Sequence, residues 1–213
     1  MTEQNNFETL GLDKNILKGV YSYGFVNPSA IQIKGINVIT SRKDCILQSQ
    51  SGTGKTATFL LGTLQNLDAN KKYIQSIIIT PTRELAEQVF NVSCELSKYT
   101  NLEAALCVGG TNNSKFKTNA KNKHLLIGTI GRIYHMMEEN FFNLDNLTQI
   151  TLDEADTLLD NKNSKILNLI KKTPDTCQKC FLSATVNKNM KHLANKILNE
   201  PEMVLLKKED VQV

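Results

Sequence analysis

The chain has 213 residues, 40% of them hydrophobic and 22% charged, with a formal net charge of +4. That length suits one generous domain with a substantial core, and the composition excludes a largely disordered chain. The mild positive charge is compatible with an anionic partner without requiring one, and no apolar run approaches the roughly 20 residues of a membrane span.

The N-terminal stretch MTEQNNFETLGL has no basic start followed by an apolar segment, so no signal peptide is read and an intracellular protein is expected. The segment before Cys45 reads as helical. Short apolar runs then recur between amphipathic stretches. The predicted strands are Cys45–Leu47, Ser76–Thr80, Ala104–Val108, His124–Gly128, Gln149–Asp153, Lys179–Ser183 and Met203–Leu206. Most are continuously apolar, as strands buried on both faces of a parallel sheet are. A helix is predicted from Arg83 to Tyr99 with Leu85, Val89, Val92 and Leu96 on its core face. Another carries Met190, Leu193, Ala194, Ile197 and Leu198. Alternating strand and helix imply an α/β fold, a mostly parallel sheet of about seven strands with helices on both faces.

After the first strand comes Ser49-Gln50-Ser51-Gly52-Thr53-Gly54-Lys55-Thr56, which opens a helix. Gly52 and Gly54 let the backbone aim several N–H groups at one anion, and the helix N-terminus adds partial positive charge. In such a phosphate loop the lysine, Lys55, reaches the terminal phosphates and the Thr56 hydroxyl ligates Mg²⁺. The strict pattern begins with glycine; here Ser49 stands in that place. Asp153-Glu154-Ala155-Asp156 closes the fifth strand, where carboxylates face the ligand crevice of a parallel sheet. Asp153 is placed to hold Mg²⁺ and Glu154 to orient and deprotonate an attacking water. Alone, this acidic stretch also reads as a solvated helix cap; the upstream phosphate loop favours the catalytic reading.

The five cysteines are Cys45, Cys94, Cys107, Cys177 and Cys180. An odd count gives no secreted disulfide framework, and the lone C-x-x-C of Cys177 and Cys180 reads as structural, with no second ligand pair following. Lys115, Lys117, Lys121 and Lys123 read as a solvated helix face before an RNA track.

With these pieces in place the sequence resembles the DEAD-box RNA helicases over almost its whole length. DEAD stands at Asp153–Asp156, PTREL at Pro81–Leu85, Ser-Ala-Thr at Ser183–Thr185 and a glycine pair at Gly109-Gly110. The stretch Gly24–Gln32 matches the glutamine motif, with Phe7 upstream. The resemblance implies a three-layer RecA-like P-loop NTPase domain over residues 34–213, preceded by an extension, residues 1–33, that carries the glutamine motif. It implies ATP and Mg²⁺ as cofactors. Gln32 would read the adenine edge and Phe25 would stack on the ring; Ser51, Gly52, Thr53, Gly54, Lys55 and Thr56 would cradle phosphate. Asp156, Ser183 and Thr185 would couple hydrolysis to closure. Thr82, Arg83, Gly110, Thr129 and Arg132 would grip the RNA backbone without reading sequence. The strings YGFVNPSAIQ, QSGTGKTA, CVGGTN and LLKKED are similar to the initiation factor 4A subfamily, though decay-factor relatives share several. That likeness implies a cytoplasmic role in translation initiation, with a nuclear location as the alternative, and scaffold proteins of initiation among its partners.

Two departures stand out. The family's Thr-Pro-Gly-Arg is Thr129-Ile130-Gly131-Arg132, and the loss of proline is expected to loosen that turn. The family's Gly-Phe pair after the acidic motif is replaced by Asp160-Asn161-Lys162-Asn163. Family motors have a second, C-terminal RecA-like domain that supplies arginines to the ATP site, and nothing in this sequence resembles it. The isolated chain is therefore expected to bind nucleotide weakly, hydrolyse slowly and leave duplexes intact. A stand-alone nucleotide-responsive binding module is the competing reading, and another P-loop ATPase such as a DNA helicase is a third.

Overall fold

In the computed structural model, residues 6–50, 52–110, 112–160 and 164–205 are described. Ser51, the stretch 161–163 and Leu206 of the predicted last strand lie outside the described residues. A short 3-10 turn, Phe7–Leu10, precedes α1 (Lys14–Tyr23) and α2 (Ala30–Thr40). The chain then alternates: β1 (Cys45–Gln48), α3 (Lys55–Asn66), β2 (Ser76–Thr80), α4 (Arg83–Leu96), β3 (Ala104–Cys107), α5 (Asn113–Ala120), β4 (Leu125–Thr129) and α6 (Ile130–Glu138). It closes with β5 (Gln149–Leu152), α7 (Ala155–Asp160), α8 (Ser164–Lys171), β6 (Gln178–Ser183), α9 (Lys188–Ile197) and β7 (Glu202–Leu205). The expected domain boundary after residue 33 falls inside α2.

The strands form one seven-stranded sheet in the order β3-β4-β2-β5-β6-β1-β7. Every described pairing is parallel. Both faces are covered. The 3-10 turn and α1 to α4 pack on one side around Phe59, Leu60, Leu61 and Ile78. Helices α5 to α9 pack on the other around Ile77, Ile79, Leu126 and Phe181. Alternate residues of β2 thus serve opposite layers, and each fully buried isoleucine contributes roughly 1.5–3 kcal/mol. The continuous apolar runs seen in the sequence have this double burial as their cause.

At the amino edge, the buried Asp44 ties three strands together. Its carboxylate accepts the N–H groups of Lys179 at 2.7 Å and Asn199 at 2.8 Å, and its carbonyl accepts that of Glu202 at 2.9 Å.

One predicted stripe turns. In α4 the buried positions are Ala86, Val89, Ser93 and Leu96, whereas Leu85 and Val92 are half-buried. Small residues at 86 and 93 let the helix approach the sheet, and the side carrying Leu85 and Val92 faces a cavity instead. The helix ends at Leu96, short of Tyr99, with Ser97 as its C-cap.

Candidate active site

In a parallel sheet the carboxyl ends of the strands share one edge, and here that edge gathers the chemistry. β1 runs into the phosphate loop, and the Ser49 N–H donates to the Ser183 carbonyl at 3.1 Å, extending the β1–β6 ladder into the loop. Gly54 caps α3 at φ +89°, the left-handed region, and a Cβ there would lie 2.9 Å from the Gln32 amide nitrogen. The positive φ favours glycine, and any larger residue would also have to displace the Gln32 amide. The Thr53 hydroxyl bonds the Ser49 hydroxyl and donates to the Gln50 carbonyl at 2.8 Å. Lys55 Nζ donates to the Ser49 carbonyl, so the ammonium lies across its own loop. Burial lowers the Lys55 pKa, opposed by the negative charges of Asp153, Asp156 and Glu154.

β5 delivers the acids. The Asp153 N–H donates to the Ile79 carbonyl at 2.9 Å, keeping the residue in the sheet. Burial, reinforced by the charge of Glu154, pushes the Asp153 carboxyl up to about 6; the Glu154 N–H and Lys55 pull the other way. Glu154 has φ 53°. A non-glycine residue pays roughly 1–2 kcal/mol for that conformation. It lets the chain turn sharply from β5 into α7, whose Leu158 N–H donates to the Glu154 carbonyl at 3.0 Å.

Asp156 faces the loop after β6. The Thr185 hydroxyl donates to its carboxylate at 2.7 Å and the Thr185 N–H at 3.3 Å, while Thr185 also bonds Ser183. Burial alone would raise the Asp156 pKa, yet hydrogen bonds from Thr185, Ser183 and Thr157 together hold it below the usual carboxylate value. The three residues proposed to couple hydrolysis to closure are therefore in one hydrogen-bonded set.

These groups open on a cavity of about 650 Å³ whose walls include Lys55, Thr56, Asp153, Glu154, Asp156 and Ser183. Phe25 stands on its rim, with its ring 5.2 Å from Tyr23 and 6.1 Å from Phe7. Gln32 lies behind the loop. It is buried, and its amide oxygen accepts the Ser29 N–H at 2.8 Å, half of a capping box for α2. Tyr23, Ala57, Leu85, Gln88, Val92 and Thr157 also line the cavity and were not assigned to it from sequence. The spacing of 85, 88 and 92 marks one helix face, and the polar Gln88 in its middle was the available sign that this face is not core.

The second group of candidates lies along the same edge, at the ends of β2, β3 and β4. The Thr82 hydroxyl caps α4 by accepting the Leu85 N–H at 3.2 Å. Arg83 pairs with Glu87 at 2.8 Å and donates to the Gly109 carbonyl at 3.4 Å, against Gly110. Thr80 and Thr129 are register partners, so Thr129 stands beside this cluster. Arg132 lies over the Phe116 ring, 5.9 Å from its centroid. Ile130, where the family has proline, is the first residue of α6, the one helical position where proline fits without loss. Thr129 has φ −97° and ψ 145°, already the conformation a following proline demands. A proline at 130 would therefore fit this backbone as it stands.

Cys45, Cys107, Cys177 and Cys180 are buried free thiols, and Cys94 is an exposed one. Burial pushes the Cys177 thiol up to about 11.

A phosphate loop and an acid pair meeting at the carboxyl edge of a parallel sheet define a P-loop nucleotide-binding domain. The sequence signature of the DEAD/DEAH box helicases matches residues 29–193. The chain is 38% identical over 207 residues to "ATP-dependent RNA helicase eIF4A" of Debaryomyces hansenii, covering 96% of this chain and 52% of that protein. It is 39% identical over 215 residues to "ATP-dependent RNA helicase FAL1" of Saccharomyces cerevisiae, covering 98% and 54%. The structure of S. cerevisiae Dbp5 bound to RNA and ADP BeF3 superimposes with a TM-score of 0.89 at 31% identity, covering 98% of this chain and 54% of that one. The chain belongs to the DEAD/DEAH box helicase family, and it spans about half the length of the curated relatives it matches. Among the described residues, no helix is long and apolar enough to cross a membrane.

Proposed function

We propose that the chain is the ATP-binding domain of an ATP-dependent RNA helicase of the initiation factor 4A type, acting in the cytoplasm in translation initiation. One observation carries the reading: Lys55 lies in the combined field of Asp153, Glu154 and Asp156 at the mouth of a single cavity. Such a surplus of acid over base suits a divalent cation shared with phosphate oxygens, which needs only one or two protein carboxylates. In this reading Thr56 and Asp153 hold Mg²⁺, which supplies Lewis-acid polarisation of the phosphoryl group. Lys55 leaves the Ser49 carbonyl for the terminal phosphates, and the loop from Ser51 to Gly54 offers its N–H groups. A carboxylate oxygen of Glu154 takes the proton from the attacking water. Phe25 packs on adenine, and Gln32 reads its edge by exchanging its bond to Ser29.

Thr82, Arg83, Gly110, Thr129 and Arg132 then form a sequence-independent RNA grip beside the nucleotide. Asp156 with Ser183 and Thr185 links the two. The further partners in this reading are a second RecA-like domain and initiation scaffold proteins.

The test is Glu154→Gln, in this chain and in any longer protein that contains it. ATP binding should persist while RNA-stimulated turnover stops, and RNA should stimulate the parent protein more than DNA does. Normal turnover in the variant would remove Glu154 as the base. Equal stimulation by DNA would remove the RNA assignment.

A further inference from the structure

Away from the nucleotide cavity, the edge of the sheet at β3 is built unlike the rest of the domain. Among the described residues β3 pairs with β4 alone, through Ala104–Cys107 against Leu125–Gly128. Its two faces are covered: Ala105 and Cys107 pack with Phe116 of α5, and Ala104 and Leu106 pack toward α4, where Phe90 stands. The edge itself is left open. It lies in a groove of about 500 Å³ between Phe90 on one side and Thr118 and Asn119 of α5 on the other. In a parallel ladder, alternate N–H and C=O groups of β3 face β4, and the intervening set faces the groove. The usual defences of an edge strand, an inward charge, a proline or a bulge, are not found in Ala-Ala-Leu-Cys.

The groove is also charged at one end. Lys121 and Lys123 stand on its wall by the amino end of β3. Lys123 is half-buried and paired with Glu103 at 3.1 Å; Lys121 is exposed. From Asn112 to Lys123 the sequence has four lysines and no acid.

We propose that this groove takes an extended segment of a partner protein, added to β3 as an eighth strand, with a carboxylate side chain of that segment on Lys121. Small side chains at Ala104 and Ala105 leave room beside the added backbone. Main-chain hydrogen bonds would supply affinity, and the lysines would set register.

The test uses the chain with two capped peptides, Thr-Val-Thr-Val-Glu-Asp and the same sequence with every backbone nitrogen methylated, followed by amide resonances and hydrogen exchange. The unmethylated peptide should shift resonances of Ala104–Cys107 and slow exchange at the β3 amides that face away from β4. The methylated one should do neither. Lys121→Glu, a change at an exposed side chain, should weaken binding about three- to fivefold, and replacing the peptide's acids by lysine should weaken it similarly. Binding that survives backbone methylation, or shifts confined to other surfaces, would overturn the proposal. So would a β3-to-β3 dimer of the chain that excludes the peptide, or an RNA oligonucleotide that displaces it from the groove.

Discussion

The two clusters on the carboxyl edge of the sheet are built on opposite plans. At the ends of β1, β5 and β6, ionisable groups are packed close enough to shift one another, with Asp153 at about 6 and Glu154 held in a left-handed turn. At the ends of β2, β3 and β4, Thr82, Arg83 and Thr129 are exposed or half-buried; Thr82 caps its own helix and Arg83 pairs with Glu87 one turn on. The first cluster carries an ionisation cost that a bound cation would relieve. The second is a row of independent donors, so changes there should be small and additive.

The largest expected effect breaks the first cluster at Lys55, its one cation among the described residues. Lys55→Ala leaves three acids around an uncompensated cavity, and titration with a fluorescent adenine nucleotide should show affinity reduced at least about 30-fold. A loss of less than threefold would mean that the cluster is not organised around phosphate.

Asp153→Asn sharpens the contrast in the other direction, because it should stabilise the nucleotide-free protein. The folded pKa lies above the ordinary carboxylate value, so the native state binds the extra proton and ionisation is penalised. The penalty is absent below about pH 4, grows as pH rises toward 6 and is complete above it. Allowing for solvent at the cavity mouth, the variant should gain about 1–2 kcal/mol at pH 7.5 and nothing at pH 3.5. Denaturant melts at the two pH values would show this, and a gain equal at both would point to packing.

In the second cluster, Arg83→Ala should reduce RNA affinity about three- to tenfold and lower the salt dependence by about one counterion. Its effect should add to that of Thr129→Ala. Strong coupling between the two would contradict independent donors.

The smallest effect belongs to Ile130→Pro. With Thr129 already in a pre-proline conformation, stability should change by no more than about 1 kcal/mol, and RNA affinity should stay within about twofold by the same reasoning. A large gain in affinity would show that the turn is loose after all.

Much of this was legible in the sequence. Strands buried on both faces announce themselves as apolar runs, so all seven were found, with no end among the described residues displaced by more than one residue. The phosphate loop and the acids were legible because both fall at strand ends of one parallel sheet, where each supports the other's reading. What stayed hidden depends on rotation and on tertiary partners. A stripe through Leu85 and Val92 reads as core until Ala86 and Ser93 are seen against the sheet. Ser29-x-x-Gln32 has the spacing of a capping box, a local sign that the sequence reading passed over, whereas nothing local says that Lys55 lies on the Ser49 carbonyl. The helical start at Ile130 shows the converse, since a departure that looked disruptive falls where the backbone needs no proline.

The most direct test of the central claim is a crystal of the chain grown with a non-hydrolysable adenine triphosphate and manganese, read by anomalous scattering. The account predicts phosphate in the loop before α3, Lys55 moved off the Ser49 carbonyl, and a metal peak between Thr56 and Asp153. An empty loop, or a nucleotide bound with no metal beside Asp153, would contradict it.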